Sequence, residues 1–308
     1  MKPLIKLLNL ELAGGCNYSC NMCPQSTGRE TNFKKILNFD LFKKIVDESI
    51  SYGVEVVTLH GSGEPTLHKN FIDCIKYVKD KGLSCQTFTN GYYIDEKIVD
   101  SGIDMIRFSV TGYDEHTYNI WMKSNAFYKV RDNAKWLVDA GINTHSNHLI
   151  LDNSNIEFEV EKYKEWIDYT GTQAEIWKMH NWADQYNPKD KRFGKKRSCG
   201  RPHHPTLEVR AGGLIGHSAA VVGCCMVLGK DSEAVLGHLD ESTIEEIYNG
   251  PSYEELRKAH EEERFDDISY CKNCDQLYES ESLVWTNIKN RKQHQLKALS
   301  GTNYEFLK

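Results

Sequence analysis

No run of eighteen apolar residues occurs in the 308-residue chain, so no helix is expected to span a membrane. Positive charge is short as well. Lys and Arg number 38 against 44 Asp and Glu, and the net charge of −6 argues against a general nucleic-acid binder. Neither the seven prolines nor the 22 glycines are in excess, and a chain that is 40% hydrophobic and 27% charged is close to the globular average. A disordered chain, a collagen and a coiled coil are thereby excluded. A secretion signal is also missing. MKPLIKLLNLELAGG begins with the basic residues Lys2 and Lys6, but Asn9 and Glu11 interrupt its apolar stretch, so it reads as a first strand. The expected location is cytoplasmic, with reduced thiols. Beyond a strand–helix alternation there is no internal repeat and no low-complexity segment.

What the chain does have is ten cysteines. A protein of this length needs no disulfide staples, so clustered cysteines read as metal ligands.

Six apolar runs fall at 4–12, 54–61, 84–91, 105–110, 144–151 and 174–180. Helical stripes lie between them: Leu41, Phe42, Ile45, Val46 and Ile50; Phe71, Ile72, Ile75 and Val78; Ile156, Val160, Tyr163 and Ile167. The alternation predicts an α/β fold, a partial (β/α)6 TIM-like barrel of parallel strands with right-handed crossovers. Ligands of such folds sit at the carboxyl ends of the strands. Polar punctuation falls there: the Cys16 loop, Gly61-Ser62-Gly63-Glu64-Pro65, Thr89-Asn90-Gly91, Ser109, and then Lys178, His180 and Trp182. The pattern stops near 182. The expected organisation is a core over 1–185, a basic linker over 186–198, a small cysteine-rich α+β domain over 199–285 and a helical tail over 286–308. Residues 207–225 read as a hairpin with a glycine-rich turn, and a helical stretch broken at Gly250-Pro251 follows. The linker's Lys189, Lys191, Arg192, Lys195, Lys196 and Arg197 read as a solvated run, with phosphate attraction as the sharper alternative.

Cys16, Cys20 and Cys23 form a C-x3-C-x2-C loop after the first strand. Three thiolates in eight residues can wrap one side of a cubane iron–sulfur cluster and leave its fourth iron open. Structural zinc wants four ligands, usually as paired C-x2-C knuckles. Cys74 and Cys85 lie among apolar residues and read as core.

CNYSCNMC resembles the cluster-binding loop of radical S-adenosylmethionine (SAM) enzymes. GSGEP at 61–65 resembles that family's Gly-Gly-Glu stretch, and TNG at 89–91 and Ser109 stand where its members line the SAM pocket. The resemblance implies a 4Fe–4S cluster on Cys16, Cys20 and Cys23, and SAM contacts from Met22, Ser62, Gly63, Glu64, Asn90 and Ser109. Two departures stand out: Met22 replaces a usual aromatic residue, and Ser62 replaces the first glycine of the motif. Cys199, Cys224 or Cys225, Cys271 and Cys274 resemble the auxiliary-cluster region called SPASM, in its shortened Twitch form. That implies a second 4Fe–4S cluster with four cysteine ligands; a four-cysteine zinc site has the same spacing. The family pattern favours Cys224. Cys225 is then a packed thiol, a swapped ligand or a hydrogen-atom donor. The resemblance spans roughly residues 4–285.

Family membership implies that one electron from the reduced cluster cleaves SAM to a 5′-deoxyadenosyl radical, which takes a hydrogen from the substrate. A closed auxiliary cluster would accept the electron of the substrate radical, giving an oxidation. Oxidising a hydroxyl also needs a base. Lys178, His180, Tyr113 and Lys123 are candidates, and His145, His148, His203 and His204 are weighed against a structural role. The first strand begins by residue 4, which leaves no room for a leader-binding module and favours a small polar substrate such as a sugar, cyclitol or nucleotide. Peptide crosslinking or epimerisation is the alternative. A zinc-stabilised binding protein is the reading from another class. A flavodoxin or ferredoxin electron donor is implied as a partner.

Overall fold

In a computed structural model of the chain, residues 4–189, 191–228, 231–278 and 283–287 are described. The six apolar runs become six strands: β1 (Leu7–Leu10), β2 (Val56–Leu59), β3 (Ser84–Thr89), β4 (Met105–Ser109), β5 (Thr144–Ile150) and β6 (Gln173–Lys178). Every residue of β1 and β2 is buried, as expected of central parallel strands covered on both faces. Neighbours pair in parallel in the order β6-β5-β4-β3-β2-β1.

The crossovers include α1 (Gln25–Gly28), α2 (Phe39–Ile50), α3 (Phe71–Asp80), α4 (Glu115–Met122), α5 (Phe127–Asp139) and α6 (Ile156–Thr170). Asn38 starts α2 by accepting from the backbone N–H groups of Asp40 and Leu41 at 2.8 and 3.2 Å. Phe42, Ile45 and Val46 of α2 are buried, while Ile50 at the edge of its stripe is exposed. Phe71, Cys74, Ile75 and Val78 fill the inner face of α3, and Cys85 is buried in β3, so both lone cysteines are core. Between β3 and β4 the link is a 3-10 segment, Glu96–Ser101, not an α-helix.

The expected hairpin is present as β7 (Thr206–Arg210) and β8 (Ala220–Val222), and β9 (Val235–His238) extends it antiparallel. Sequence reading did not foresee that β7 also pairs in parallel with β1, from Leu7↔Thr206 to Leu10↔Val209. The second segment therefore continues the core sheet. At the far edge β10 (Leu283–Thr286) pairs antiparallel with β6. Thr286 is thus a strand residue, and the helical tail expected over 286–308 otherwise lies outside the described residues, Asn287 apart. α7 (Ile244–Tyr248) and α8 (Pro251–Glu261) reproduce the break at Gly250-Pro251, with proline in the first turn of α8.

The basic stretch is more packed than a solvated linker. Lys196 Nζ donates to Asp266 Oδ1 and Lys272 O, both at 2.6 Å, and Arg197 N donates to Leu277 O at 2.7 Å. Among the described residues no helix is long and apolar enough to cross a membrane.

Candidate active site

A cavity of about 310 Å³ opens at the carboxyl ends of the parallel strands, the place topology predicts. Cys16, Cys20, Cys23 and Met22 line one side, with Ser62, Gly63, Glu64, Asn90 and Ser109 beside them. Lys178, His180, Trp182, Arg192 and Cys225 line it as well. The first two strands thus deliver their following loops to one place.

The three loop thiols lie close together. Burial first, and then the neighbouring thiols and Glu64, push Cys20 well up, and Cys16 is pushed up to about 11 mainly by burial. Asn90 Nδ2 stands 3.9 Å from Cys16 Sγ, and Cys20 Sγ 3.8 Å from Met122 Sδ. Three clustered thiols on a cavity wall suit a metal centre held from one side, with its other side open to a ligand.

Glu64 is almost fully buried. Its Oε1 accepts from Thr66 N, Thr66 Oγ1 and Thr89 Oγ1, and its Oε2 from Asn90 N at 2.8 Å. Burial still pushes the carboxyl above its ordinary value. It has no ion-pair partner among the described residues, and Oε2 keeps a lone pair for an incoming ammonium. That donor chemistry fits an amino acid's amine.

The serine in the motif is compensated from β1's end. Glu11 Oε2 accepts from both the backbone N and the Oγ of Ser62, the latter at 3.0 Å. Glu11 Oε1 accepts from Arg29 Nη2 at 2.9 Å and Ala211 N at 3.1 Å, and Arg210 Nη1 lies 3.8 Å from Oε2. This buried carboxylate ties the motif to α1's end and to β7. Gly63 is there for closeness: a Cβ would come within 2.0 Å of Ala13 O and 2.5 Å of Gly15 O. Gly63→Ala should therefore weaken SAM binding by at least about tenfold, or ~1.4 kcal/mol, in anaerobic equilibrium dialysis while auxiliary iron is retained. Unchanged affinity would mean that the loop gives way and does not set the pocket.

Cys199, Cys224, Cys271 and Cys274 form the second group. After burial, each of Cys271 and Cys274 is raised chiefly by Cys224 and Cys199. Cys224 Sγ accepts from Met226 N at 3.3 Å, and Cys271 Sγ lies 3.5 Å from His260 Nε2. Four mutually close thiols make a closed donor set. Cys225 falls on the cavity wall instead, and burial pushes its thiol to about 12, so it is protonated.

Trp182, Ala183 and Asp184 take left-handed conformations in succession, with φ of 45°, 56° and 68°. Each costs roughly 1–2 kcal/mol, so the turn must be held. Asn181 holds it. Its N donates to Asp275 Oδ2 at 2.8 Å and its Nδ2 to Asn273 O at 2.7 Å, while its Oδ1 accepts from Asp275 N at 3.1 Å. The wall carrying His180 and Trp182, whose rings are 4.0 Å apart, is thus fastened to the loop of Cys271 and Cys274.

Of the four candidate bases, Lys178 and His180 line the cavity. Tyr113 and Lys123 do not: Tyr113 packs edge-on against Phe158 at 5.6 Å, and Lys123 is the left-handed residue that ends α4. Of the four other histidines weighed, none lines the cavity and three are hydrogen-bonded elsewhere. His145 meets Glu175 at 3.3 Å, His148 meets Glu159 at 3.2 Å, His204 meets Thr206 at 2.6 Å, and His203 lies 3.8 Å from Glu261. Sequence reading missed Glu11 and Arg210. The available signal was a charge inside an apolar strand run, Glu11 at the end of 4–12 and Arg210 in 207–225.

The family model of the radical SAM superfamily matches residues 10–167, just over half of the chain, and the iron–sulfur cluster-binding domain SPASM matches 213–275. A tungsten-containing aldehyde ferredoxin oxidoreductase cofactor-modifying protein of Pyrococcus furiosus is 30% identical over 111 residues, 34% of this chain and 31% of that protein. The chain spans less than half the length of the curated relatives it matches first, at most 48%. Two solved structures share the fold. BtrN, in complex with AdoMet and 2-DOIA, is 18% identical with a TM-score of 0.59, over 93% of this chain and 100% of that one. SuiB of Streptococcus suis, bound to the precursor peptide SuiA, is 13% identical with a TM-score of 0.64, over 89% and 70%. The matched models bring with them a 4Fe–4S cluster and SAM in the core and an auxiliary cluster in the C-terminal region. The chain belongs to the radical SAM superfamily, with a SPASM-type iron–sulfur domain after its core.

Proposed function

We propose that this chain is a radical SAM oxidoreductase that takes a hydrogen atom from a small polar substrate and passes the remaining electron to its auxiliary cluster. One observation carries this reading: a single cavity runs from the three-thiol loop to Cys225, which is adjacent in sequence to Cys224 of the closed four-thiol group. Cys16, Cys20 and Cys23 would hold the first cluster, and Cys199, Cys224, Cys271 and Cys274 the second. Bound there, SAM and the cluster would supply the radical chemistry for hydrogen-atom abstraction. Glu64 orients the SAM amine, Glu11 fixes the Ser62 backbone beneath it, and Met22 and Asn90 close the pocket beside Cys16. His180 is neutral at pH 7, because burial, Arg192 and Arg201 hold it down to about 3. Its ring can accept the substrate's proton but must release it onward at once. The first electron comes from a flavodoxin or ferredoxin partner.

Cys225 favours a second reading. Its protonated thiol faces the same cavity, so it is placed to return a hydrogen atom to a substrate radical, as an epimerase requires. Cys225→Ala separates the two in an anaerobic assay with SAM, reductant and candidate substrates, including peptides. A dehydrogenase should keep its turnover within about threefold. Stalling of the variant, with one deoxyadenosine formed per chain and no inverted product, would replace oxidation by epimerisation.

A further inference from the structure

Arg192 belongs to the stretch that reads as a solvated linker, yet its side chain is 9% exposed and lines the cavity. Among the described residues neither Nη1 nor Nη2 has a hydrogen-bond partner. The nearest carboxylate among the described residues, Asp275, comes no closer than 3.8 Å, at Nε, which is too long for a hydrogen bond. Asp275 is also engaged elsewhere, accepting from Asn181 N at 2.8 Å and Gln276 Nε2 at 3.0 Å. A buried guanidinium with two idle terminal donors is costly until a charged acceptor reaches it.

The cavity wall is unevenly charged. Glu64 is its one carboxylate among the described residues, beside Cys16 and already bonded to four donors. Lys178 and Arg192 are its full cations, contributed by the end of β6 and the segment beyond it. A guanidinium fork grips an oxyanion through two parallel N–H groups, and an ammonium adds a point charge.

Resting on the reading of the cavity given above, we infer that the substrate carries an oxyanion, a carboxylate or a phosphoryl group. Arg192 binds it through Nη1 and Nη2, with Lys178 as the second charge. The anion fixes which end of the substrate faces away from Glu64, and so which carbon faces the three-thiol loop.

The test uses the reconstituted holoenzyme with SAM bound, under anaerobic conditions. Inorganic phosphate and acetate are titrated separately, and binding is followed by tryptophan fluorescence, since Trp177 and Trp182 line the cavity. Saturable binding of either anion, weakened roughly tenfold or more in Arg192→Gln, is the expected result. Tighter phosphate binding assigns a phosphoryl group, and tighter acetate binding a carboxylate. Should Arg192→Gln lose iron, Arg192→Lys carries the comparison, because it keeps the charge and loses the fork. No saturable binding to the native enzyme, or equal binding by native and variant, overturns the inference. Deoxyadenosine formation is measured on the same samples. Its absence with anion binding intact would strike the radical reading and leave the anion site standing.

Discussion

Replacing Cys16, Cys20 and Cys23 together with Ala should lower the iron of the anaerobically reconstituted protein from about eight atoms per chain to about four, with sulfide falling in step. Deoxyadenosine formation should disappear entirely, since the auxiliary group is closed by its own four cysteines and leaves SAM nowhere to bind. The complementary variant, with Cys271 and Cys274 replaced by Ala, should keep about four irons in the core and still cleave SAM slowly. Iron and sulfide analysis with the visible spectrum gives the counts, and chromatography gives the nucleoside. The contrast depends on the two donor sets being separate, and they are: the three loop thiols line the cavity while Cys199, Cys224, Cys271 and Cys274 do not. Zinc in place of iron at the second group would reassign that group to a structural role and remove the electron acceptor from the proposed oxidation.

Glu11→Ala should be strongly destabilising, at about 3–5 kcal/mol, because it leaves Arg29 and Arg210 buried with their shared carboxylate gone. Arg29 would keep Asp231 at 3.1 Å, while Arg210 would keep the carbonyl of Cys225 at 2.9 Å and the weaker pull of Asp231 and Glu208. The effect depends on pH in a definite direction. Burial alone would raise the Glu11 carboxyl, but Arg29, Arg210 and the backbone N–H groups of Ser62 and Ala211 outweigh it and hold it below 4.5. A depressed carboxyl stabilises the fold above its unfolded value and loses that contribution as pH falls through the folded one. The gap between native and variant in denaturant midpoint should therefore be full at pH 7 and narrow below pH 4.5. SAM affinity should fall too, since Ser62 loses the acceptor of its N–H and hydroxyl. Native-like stability with weakened SAM binding would mean that the network serves the pocket alone.

Much of this was legible before any fold was built. The Cys16 loop, the Ser62-Gly63-Glu64 stretch and Asn90 each follow a strand directly, and the strand-end rule alone brings them together. Short-range patterns sufficed because the chemistry sits within a few residues of an element boundary. Tyr113 and Lys123 mark the limit of that rule. Both follow strand four, but helix capping and ring packing between α4 and α6 decide where they end up.

By itself the sequence determined the alternation of strands and helices, the core cysteines Cys74 and Cys85, and the Cys16, Cys20 and Cys23 set, while the second set was legible only through its resemblance to the SPASM region. Periodicity and ligand spacing are properties of neighbouring residues, and no distant contact is needed to read them. Only the tertiary structure decided that β7 adds to β1 in the same sheet, that Cys225 faces the cavity while Cys224 joins the closed group, and that Arg192 is buried. These depend on contacts between residues up to about two hundred positions apart, as in the bond from Ala211 to Glu11. Which strand pairs with which, and which of two adjacent thiols turns inward, is set by the packing of the whole sheet.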